Sequence, residues 1–261
     1  MIVLISPAKT FADPAKIKSP VEMTMPRYRE YARKIALAAS GLKPDDIARS
    51  MEVNSKIAGK AYLHWQSFLN PSEPCAPAAL LYSGMVFKKL DAATFSSDTW
   101  SYAADHLRIT SFAYGMLAPA DGIVPYRMEG NVELPVPVSG KVFDYWRPLM
   151  TDIFIAEIQR AGGVLCYLAS EEMKQLFDWN RVEKSVRVIT PLFMVPQAGG
   201  KLKQIVIYTK MARGLMARHI LQHRITDPEQ LKGFSPNGFV YSDGDSGART
   251  SADEWIYILS E

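Results

Sequence analysis

The chain has 261 residues, of which 48% are apolar and 22% charged, and a formal charge of +3 at pH 7. This length and balance are typical of a globular protein and exclude a disordered or fibrous chain. Because the net charge is small, affinity for an acidic partner must come from cations that cluster on one face. The two cysteines, Cys75 and Cys166, are far apart, which argues against a disulfide framework or a cysteine metal site.

The first five residues are apolar and predict a buried strand over residues 2–5. They lack the basic stretch of a signal peptide, and no apolar run reaches the length of a membrane span, so we expect a cytoplasmic protein without a membrane partner. The strand leads into Ser6-Pro7-Ala8-Lys9-Thr10, where two hydroxyls and an ammonium group could hold an anion. A plain loop with Lys9 in solvent explains the same residues, since no glycine-rich phosphate motif is present.

Three helices are predicted next, over residues 26–41, 44–50 and 54–69. The last two are joined by the short link 51–53, as in a helix-hairpin-helix element, and Lys56 and Lys60 lie near the turn. Asn54 is placed to cap the second helix of this pair, so backbone amides and lysines could together contact phosphates. The usual glycines of such a hairpin are missing, and two helices with ordinary basic surface residues remain the alternative.

The middle of the chain predicts a strand over residues 79–82, a helix over 97–107 and a polar segment over 108–129. That segment contains Arg108, Ser111, Tyr126, Arg127 and Glu129. These side chains form either a binding site or a polar network that holds strand ends together.

An amphipathic helix over 142–161 and a buried strand over 164–168 follow, and Ser170 comes just after that strand. In open α/β sheets ligands bind beyond the carboxyl ends of the strands, so Ser6, Ser111 and Ser170 are expected to converge.

Residues 186–195 and 202–208 predict a hairpin that leads into a helix with Thr209 as its N-cap. At about 100° per residue, one face of this helix collects basic and small side chains: Lys210, Arg213, Gly214, Ala217, Leu221 and Arg224. Gly214 and Ala217 would let a phosphate or a backbone approach, whereas a solvated charged face is the alternative. A closing hairpin is predicted at 239–241 and 255–258.

Neither a metal nor a cofactor is predicted. His219 and His223 have the spacing at which two imidazoles share a metal ion, but no third ligand is identifiable. Asp243 and Asp245 resemble part of a calcium loop without its closing glutamate, which indicates a turn. The order of elements predicts an α/β (α+β mixed) fold: one compact domain over residues 1–261 with a mixed sheet flanked by helices, including the helix-hairpin-helix-like pair at 44–69.

Several segments together resemble the YaaA peroxide-stress protein family (UPF0246, a domain of unknown function) over nearly the whole chain. They are Leu4-Ile5-Ser6-Pro7-Ala8-Lys9-Thr10, His106-Leu107-Arg108-Ile109, Pro125-Tyr126-Arg127, Leu168-Ala169-Ser170-Glu171 and the stretch from Tyr208 to Gly214. The resemblance implies a cytosolic bacterial protein that limits oxidative DNA damage, with a positively charged cleft that binds DNA. Among the positions that depart from the family pattern are Ala118, in place of an arginine, and Glu172, in place of an aromatic residue.

Three functions therefore remain open. In the first, a monomeric protein binds DNA without sequence preference, distorted DNA included, and its phosphate-binding residues are Ser6, Lys9, Thr10, Lys56, Lys60, Arg108, Arg127, Lys210 and Arg213. In the second, the same polar residues form the pocket of an enzyme that acts on a nucleotide or nucleic acid, with Glu129, Ser170 and Tyr126 as candidate catalytic groups. The third, iron handling, has only the pair His219 and His223 to support it.

Overall fold

The computed structural model describes residues 1–243 and 253–260. The described strands are β1 (Ile2–Ile5), β2 (Ala76–Pro77), β3 (Leu107–Ser111), β4 (Gly115–Leu117), β5 (Gly122–Ile123), β6 (Glu133–Leu134), β7 (Gly140–Lys141), β8 (Val164–Leu168), β9 (Arg187–Pro196), β10 (Leu202–Lys203), β11 (Phe239–Tyr241) and β12 (Glu254–Leu259). The described helices are α1 (Arg29–Ser40), α2 (Pro44–Ser50), α3 (Ser55–Ser67), α4 (Ala78–Leu81), α5 (Met85–Leu90), α6 (Ser97–His106), α7 (Val142–Arg160), α8 (Trp179–Ser185) and α9 (Val206–His223).

One mixed sheet lies at the centre of the described residues, in the strand order β11-β12-β9-β8-β1-β3-β4, with β10 paired to β9. β1 pairs in parallel with β3 on one side and with β8 on the other. Its four residues are buried, as expected for a parallel strand covered on both faces. The predicted mixed α/β fold with helices around a sheet is confirmed. Because β1, β3 and β8 run in the same direction, their carboxyl ends meet at one edge.

Most of the predicted elements are present, close to the expected bounds. The structure confirms α1 with Gly41 at its end, the pair α2 and α3, and the long helix α7 followed by β8. The Asn54 side chain caps α3 by accepting a hydrogen bond from the Ile57 amide at 2.9 Å. Gly162 and Gly163 end α7 with φ angles of 102° and 76°, which a residue with a Cβ atom rarely adopts.

The two predicted hairpins are also confirmed, although the first is shorter than expected. β9 pairs with only two residues of β10, and β11 pairs with β12 in antiparallel register. In the loop between β11 and β12, Asp243 is the last described residue before the gap, so the predicted turn at Asp245 lies outside the described residues.

The strand predicted over residues 79–82 is wrong, because this run forms the short helix α4. Its first amides donate to carbonyls of a neighbouring segment, Ala78 to Asp121 at 2.9 Å and Ala79 to Pro119 at 3.0 Å. A run of four apolar residues does not distinguish a buried strand from a buried helical turn. Tertiary contacts decided between the two.

The strand predicted to extend through residues 205–208 is also wrong. α9 begins at Val206, so Thr209 lies inside the helix and the N-cap position belongs to Ile205, which makes no side-chain capping bond. β9 ends at Pro196 and β10 at Lys203, so residues 205–208 have no strand beside them to extend the sheet. The exposed apolar residues Val206 and Ile207 therefore form the first turn of the helix.

The face of α9 that we predicted to be basic and open is largely buried against α5. Gly214, Ala217 and Leu221 are buried, and the backbone of α5 lies directly over Gly214. A Cβ atom at residue 214 would lie 2.3 Å from the Val86 carbonyl oxygen and 2.7 Å from the Lys89 Cβ. The glycine is therefore required for helix packing, and it is a backbone, rather than a phosphate, that approaches it.

This packing predicts opposite effects for the same substitution at two helical glycines. Gly214→Ala is expected to lower the free energy of unfolding by about 2 kcal/mol, because overpacking outweighs the better helix propensity of alanine. Gly59→Ala in α3 is the matched control, since a Cβ atom there meets nothing within 4 Å, and it is expected to raise the same quantity by up to about 1 kcal/mol. Urea unfolding measures both variants, and a stable Gly214→Ala protein would contradict the close approach of α9 and α5.

Candidate functional site

A cavity of about 360 Å³, here called the inner pocket, lies at the carboxyl ends of β1 and β8. The loop after β1 forms one wall, the start of α5 a second, and the exit of β8 a third. α9 contributes Lys210 and Arg213. Position at this edge of the sheet is what the strand directions predict for a ligand site.

A second cavity of about 650 Å³, here called the outer groove, adjoins the inner pocket. It lies between the loop after β1 and helix α3, which supplies Lys56 and Lys60. Four residues line both cavities: Lys9, Thr10, Tyr126 and Arg127. The inner pocket and the outer groove therefore share part of their walls, and the two cavities together are here called the basic groove.

Ser6 and Ser170 meet in the inner pocket, as the sequence predicts. Their hydroxyl oxygens are 3.1 Å apart, and the Ser170 amide donates to the Ser6 hydroxyl oxygen at 2.8 Å. Ser111, at the end of β3, does not reach the pocket, because it is fully buried and hydrogen-bonded to Tyr126 at 2.7 Å. Two of the three expected serines thus converge on the cavity.

Glu129 is the common partner of two cations of the basic groove. Its Oε1 atom lies 2.5 Å from Arg127 Nη2 and 3.0 Å from Lys9 Nζ. The Glu129 side chain is 18% exposed and that of Lys9 is 62% exposed. A carboxylate held by two cations orients them and is itself fixed in place. Glu129 is thus positioned to arrange the cations of the groove.

The Tyr126 hydroxyl is engaged behind the pocket. It lies 2.7 Å from the Ser111 hydroxyl and 2.8 Å from that of Tyr82, in a buried network. Burial raises the pKa of Tyr126 and raises that of Tyr82 well above its usual range, so both stay neutral at physiological pH. Because its hydroxyl is bonded to Ser111 and Tyr82, Tyr126 is better placed to form part of the pocket wall with its ring than to transfer a proton.

Arg213 differs from Arg127, the other arginine of the basic groove, because it has no acidic partner among the described residues. Its Nε atom is buried without a hydrogen-bond acceptor. Burial lowers the pKa of Arg213, an effect that the nearby Tyr167 and Glu171 oppose, although a guanidinium remains charged at neutral pH. Glu171 itself is engaged by Lys174 at 2.8 Å. An unpaired guanidinium therefore lines the inner pocket.

Arg108 is the one predicted phosphate-binding residue that lies outside the basic groove. Its Nε atom is 2.7 Å from Glu157, whose other oxygen is 3.0 Å from Arg27. The Arg108 guanidinium also donates to the carbonyls of Ala104 and Leu107 at 2.8 Å. These contacts tie β3 to α6 and α7, so the structure gives this arginine a role in stability.

Some residues of the site were missed from the sequence. The start of α5, from Gly84 to Phe87, forms a wall of the inner pocket, although no element was predicted there. Gly84 is needed because a Cβ atom would come within 2.8 Å of the Ala8 Cβ. The only available signal was a glycine directly before the apolar run Met85-Val86-Phe87. His64, in the outer groove, was also missed, and burial lowers its pKa.

In the described part of the chain, no group of three or more His, Cys, Asp or Glu side chains is placed to hold a metal ion. The His219 ring stacks on Phe234 with 4.2 Å between centroids and lies 4.4 Å from the His223 ring. Within the same described residues, no helix is both long and apolar enough to cross a membrane.

The fold and the groove define a class: a mixed α/β protein whose cations collect at the carboxyl ends of its parallel strands. The family described as "Peroxide stress protein YaaA" matches residues 1–244, and the chain belongs to this family. It is 53% identical to a UPF0246 protein of Porphyromonas gingivalis over 92% of this chain and 94% of the relative. It is 50% identical to one of Bacteroides fragilis, with 100% and 98% covered, and 36% identical to one of Parabacteroides distasonis, with 99% of each covered.

The position of Arg108 predicts a stability defect on its removal. Arg108→Met is expected to lower the free energy of unfolding by about 2 kcal/mol, because the buried Glu157 carboxylate loses a charge-assisted hydrogen bond. Arg27→Met is the matched control. It removes the other partner of Glu157, but the Arg27 side chain is 52% exposed, so a smaller loss is expected. Denaturant unfolding of both variants checks this order, and equal losses would contradict it.

Proposed function

We propose that this protein serves the response to hydrogen peroxide by binding DNA in the basic groove, without base-specific contacts, and thereby limits oxidative damage. One observation carries the proposal. Eight of the nine predicted phosphate-binding residues line the groove: Ser6, Lys9, Thr10, Lys56, Lys60, Arg127, Lys210 and Arg213. Residues that are far apart in the sequence thus contribute to one basic surface.

The outer groove suits a sugar-phosphate backbone. Lys56 and Lys60 are exposed, lie one turn apart near the start of α3, and have no ion-pair partner among the described residues. Lys9 lines the same groove and is largely exposed, although it is paired with Glu129. Cations that are not neutralised by neighbours release counterions when they meet phosphates, which gives affinity without sequence readout.

The helix pair α2 and α3 supports the same use. The two helices are joined by a link of only four residues, as short as in a helix-hairpin-helix element. Glu52 in this link has a φ angle of 51°. The link differs from the usual glycine hairpin, so the lysines of α3, rather than amides of the turn, supply the phosphate contacts in this proposal. Membership of the peroxide stress family supports the cellular role.

A second candidate is an enzyme that acts on a nucleotide or on a nucleic-acid end. The inner pocket favours it, because a protein that only coats DNA has no need of a cavity of about 360 Å³ with Ser170 and Met128 in its lining and Glu129 beside it. Incubation with nucleoside phosphates and with nicked DNA, followed by product analysis, tests this candidate. Turnover that is lost in Glu129→Gln and kept in Glu133→Gln, an exposed control, would support it. Absence of any turnover that depends on Glu129 would refute it.

DNA binding through the outer groove predicts a specific salt dependence. In Lys56→Gln/Lys60→Gln, the slope of log affinity against log salt concentration is expected to become shallower by about 0.9 for each lost phosphate contact. The loss should be the same for unrelated DNA sequences, since these contacts read no bases. Fluorescence anisotropy of labelled duplex across a salt series measures it.

Lys184→Gln/Lys203→Gln is the control for total charge, because both lysines are exposed and line neither cavity. It is expected to keep the parental slope. A parental slope in the groove variant, or an equal change in the control, would contradict DNA binding through the outer groove.

A further inference from the structure

The inner pocket holds a charge that the protein itself does not neutralise. The Arg213 guanidinium lies in the pocket lining with its Nε atom buried and without an acceptor. A buried charge without a partner is costly, and it is strongly destabilising unless a counter-charge is supplied. A bound anion would supply it.

The charge balance of the pocket indicates which anion fits. Four cations line it, namely Lys9, Arg127, Lys210 and Arg213. Against them stand Glu172, which lines the pocket, and Glu129, which binds the first two cations. The described residues therefore leave an excess of two positive charges in the pocket, where Lys210 and Arg213 lie on adjacent turns of α9. A dianion matches this excess, whereas a phosphodiester or a carboxylate brings one negative charge.

The remaining lining suits a ligand with an organic body. Hydroxyl groups of Ser6 and Ser170 lie beside the cations and can donate to phosphate oxygens. Apolar side chains cover much of the rest, among them Met85, Phe87 and Phe112. A cavity of about 360 Å³ is large enough for a small organic ligand. Inorganic phosphate alone would leave the apolar part unused.

We propose that the inner pocket binds the dianionic phosphate group of a phosphate monoester, held by Arg213 and Lys210 with the hydroxyls of Ser6 and Ser170. The guanidinium can bind two phosphate oxygens at once, and the ammonium adds a point charge. The proposal rests on the proposed function, because this pocket is the inner end of the same groove. Two sources share this chemistry, a free nucleoside monophosphate and the terminal phosphate of a DNA strand. The internal phosphates of a strand are diesters, and in this proposal they are bound by the outer groove.

Calorimetric titration with 2′-deoxyadenosine 5′-monophosphate tests the charge requirement. Binding is expected, and the 3′,5′-cyclic monophosphate, which carries one negative charge, is expected to bind roughly tenfold more weakly or worse. Arg213→Gln should weaken binding of the monophosphate by about tenfold or more, because it removes charge-assisted hydrogen bonds. Lys184→Gln, an exposed lysine that lines neither cavity, should leave it unchanged. Absence of binding by the parent protein, equal binding of the cyclic compound, or an unaffected Arg213→Gln protein would overturn the proposal.

Short duplexes with a recessed end separate the two sources. If the pocket takes strand ends, duplexes with a terminal phosphate should bind more tightly than duplexes with a terminal hydroxyl, and the monophosphate should compete for the difference. If it takes the free nucleotide, the two duplexes should bind equally while the monophosphate still binds in the titration. If the parent protein binds the monophosphate but neither duplex, DNA binding in the groove is refuted while phosphate binding in the inner pocket is supported. The two proposals can therefore fail separately.

Thermal unfolding shows whether an Arg213 substitution weakens binding by destabilising the fold. Because Arg213 is half-buried and its buried Nε atom has no acceptor, Arg213→Met is expected to melt at the same temperature as the ligand-free parent or higher. The monophosphate should raise the melting temperature of the parent and leave that of Arg213→Met unchanged. Arg213→Lys keeps the charge and should recover part of the shift. An Arg213→Met protein that is destabilised without ligand, or a parent that the monophosphate does not stabilise, would contradict a pocket that awaits an anion.

Discussion

The site depends on the contact between the backbones of α9 and α5 at Gly214. The Val86 carbonyl occupies the space where any other residue at position 214 would place its Cβ atom. Val86 belongs to the wall of the inner pocket, and Arg213 precedes Gly214 directly. The contact therefore sets the distance between the cation on α9 and the opposite wall on α5. A wider separation of these helices would open the pocket to water and weaken every electrostatic interaction in it.

The parallel sheet supplies the other half of the geometry, and this half could be predicted from the sequence. Apolar runs followed by Ser6 and by Ser170 indicated two buried strands with hydroxyls at their ends. Since β1 and β8 are neighbours in parallel register, those ends meet, and the serines are in contact. Arg108, which was predicted to bind phosphate, does not belong to this edge. It lies three residues before the end of β3, about 10 Å from the edge at the rise of a strand, and so could not reach a ligand there.

Other parts of the site could not be predicted, because they depend on contacts between segments that are remote in sequence. The run 79–82 became α4 since its amides found acceptors at Pro119 and Asp121. Residues 205–208 became helical where no strand lay beside them to pair with. Gly214 was recognised as a position of close approach, but the sequence does not say what approaches. A helical pattern predicts which residues share a face, and tertiary packing decides whether that face meets solvent, a ligand or another helix.

Glu157 and Arg213 are charged side chains with little access to solvent, but only Glu157 is neutralised by neighbouring residues. The side chain of Glu157 is 4% exposed and is neutralised by Arg108 and Arg27, so its site is complete without any ligand. Arg213 is half-buried in the pocket lining, its Nε atom is buried without an acceptor, and it has no acidic partner among the described residues. Burial without pairing costs stability, and a protein that tolerates this cost in a cavity gains a preorganised binding group there. The close packing of α5 on α9 at Gly214 fixes the backbone from which the guanidinium extends. That preorganisation, rather than the modest net charge of +3, would give the inner pocket its affinity for a phosphate group.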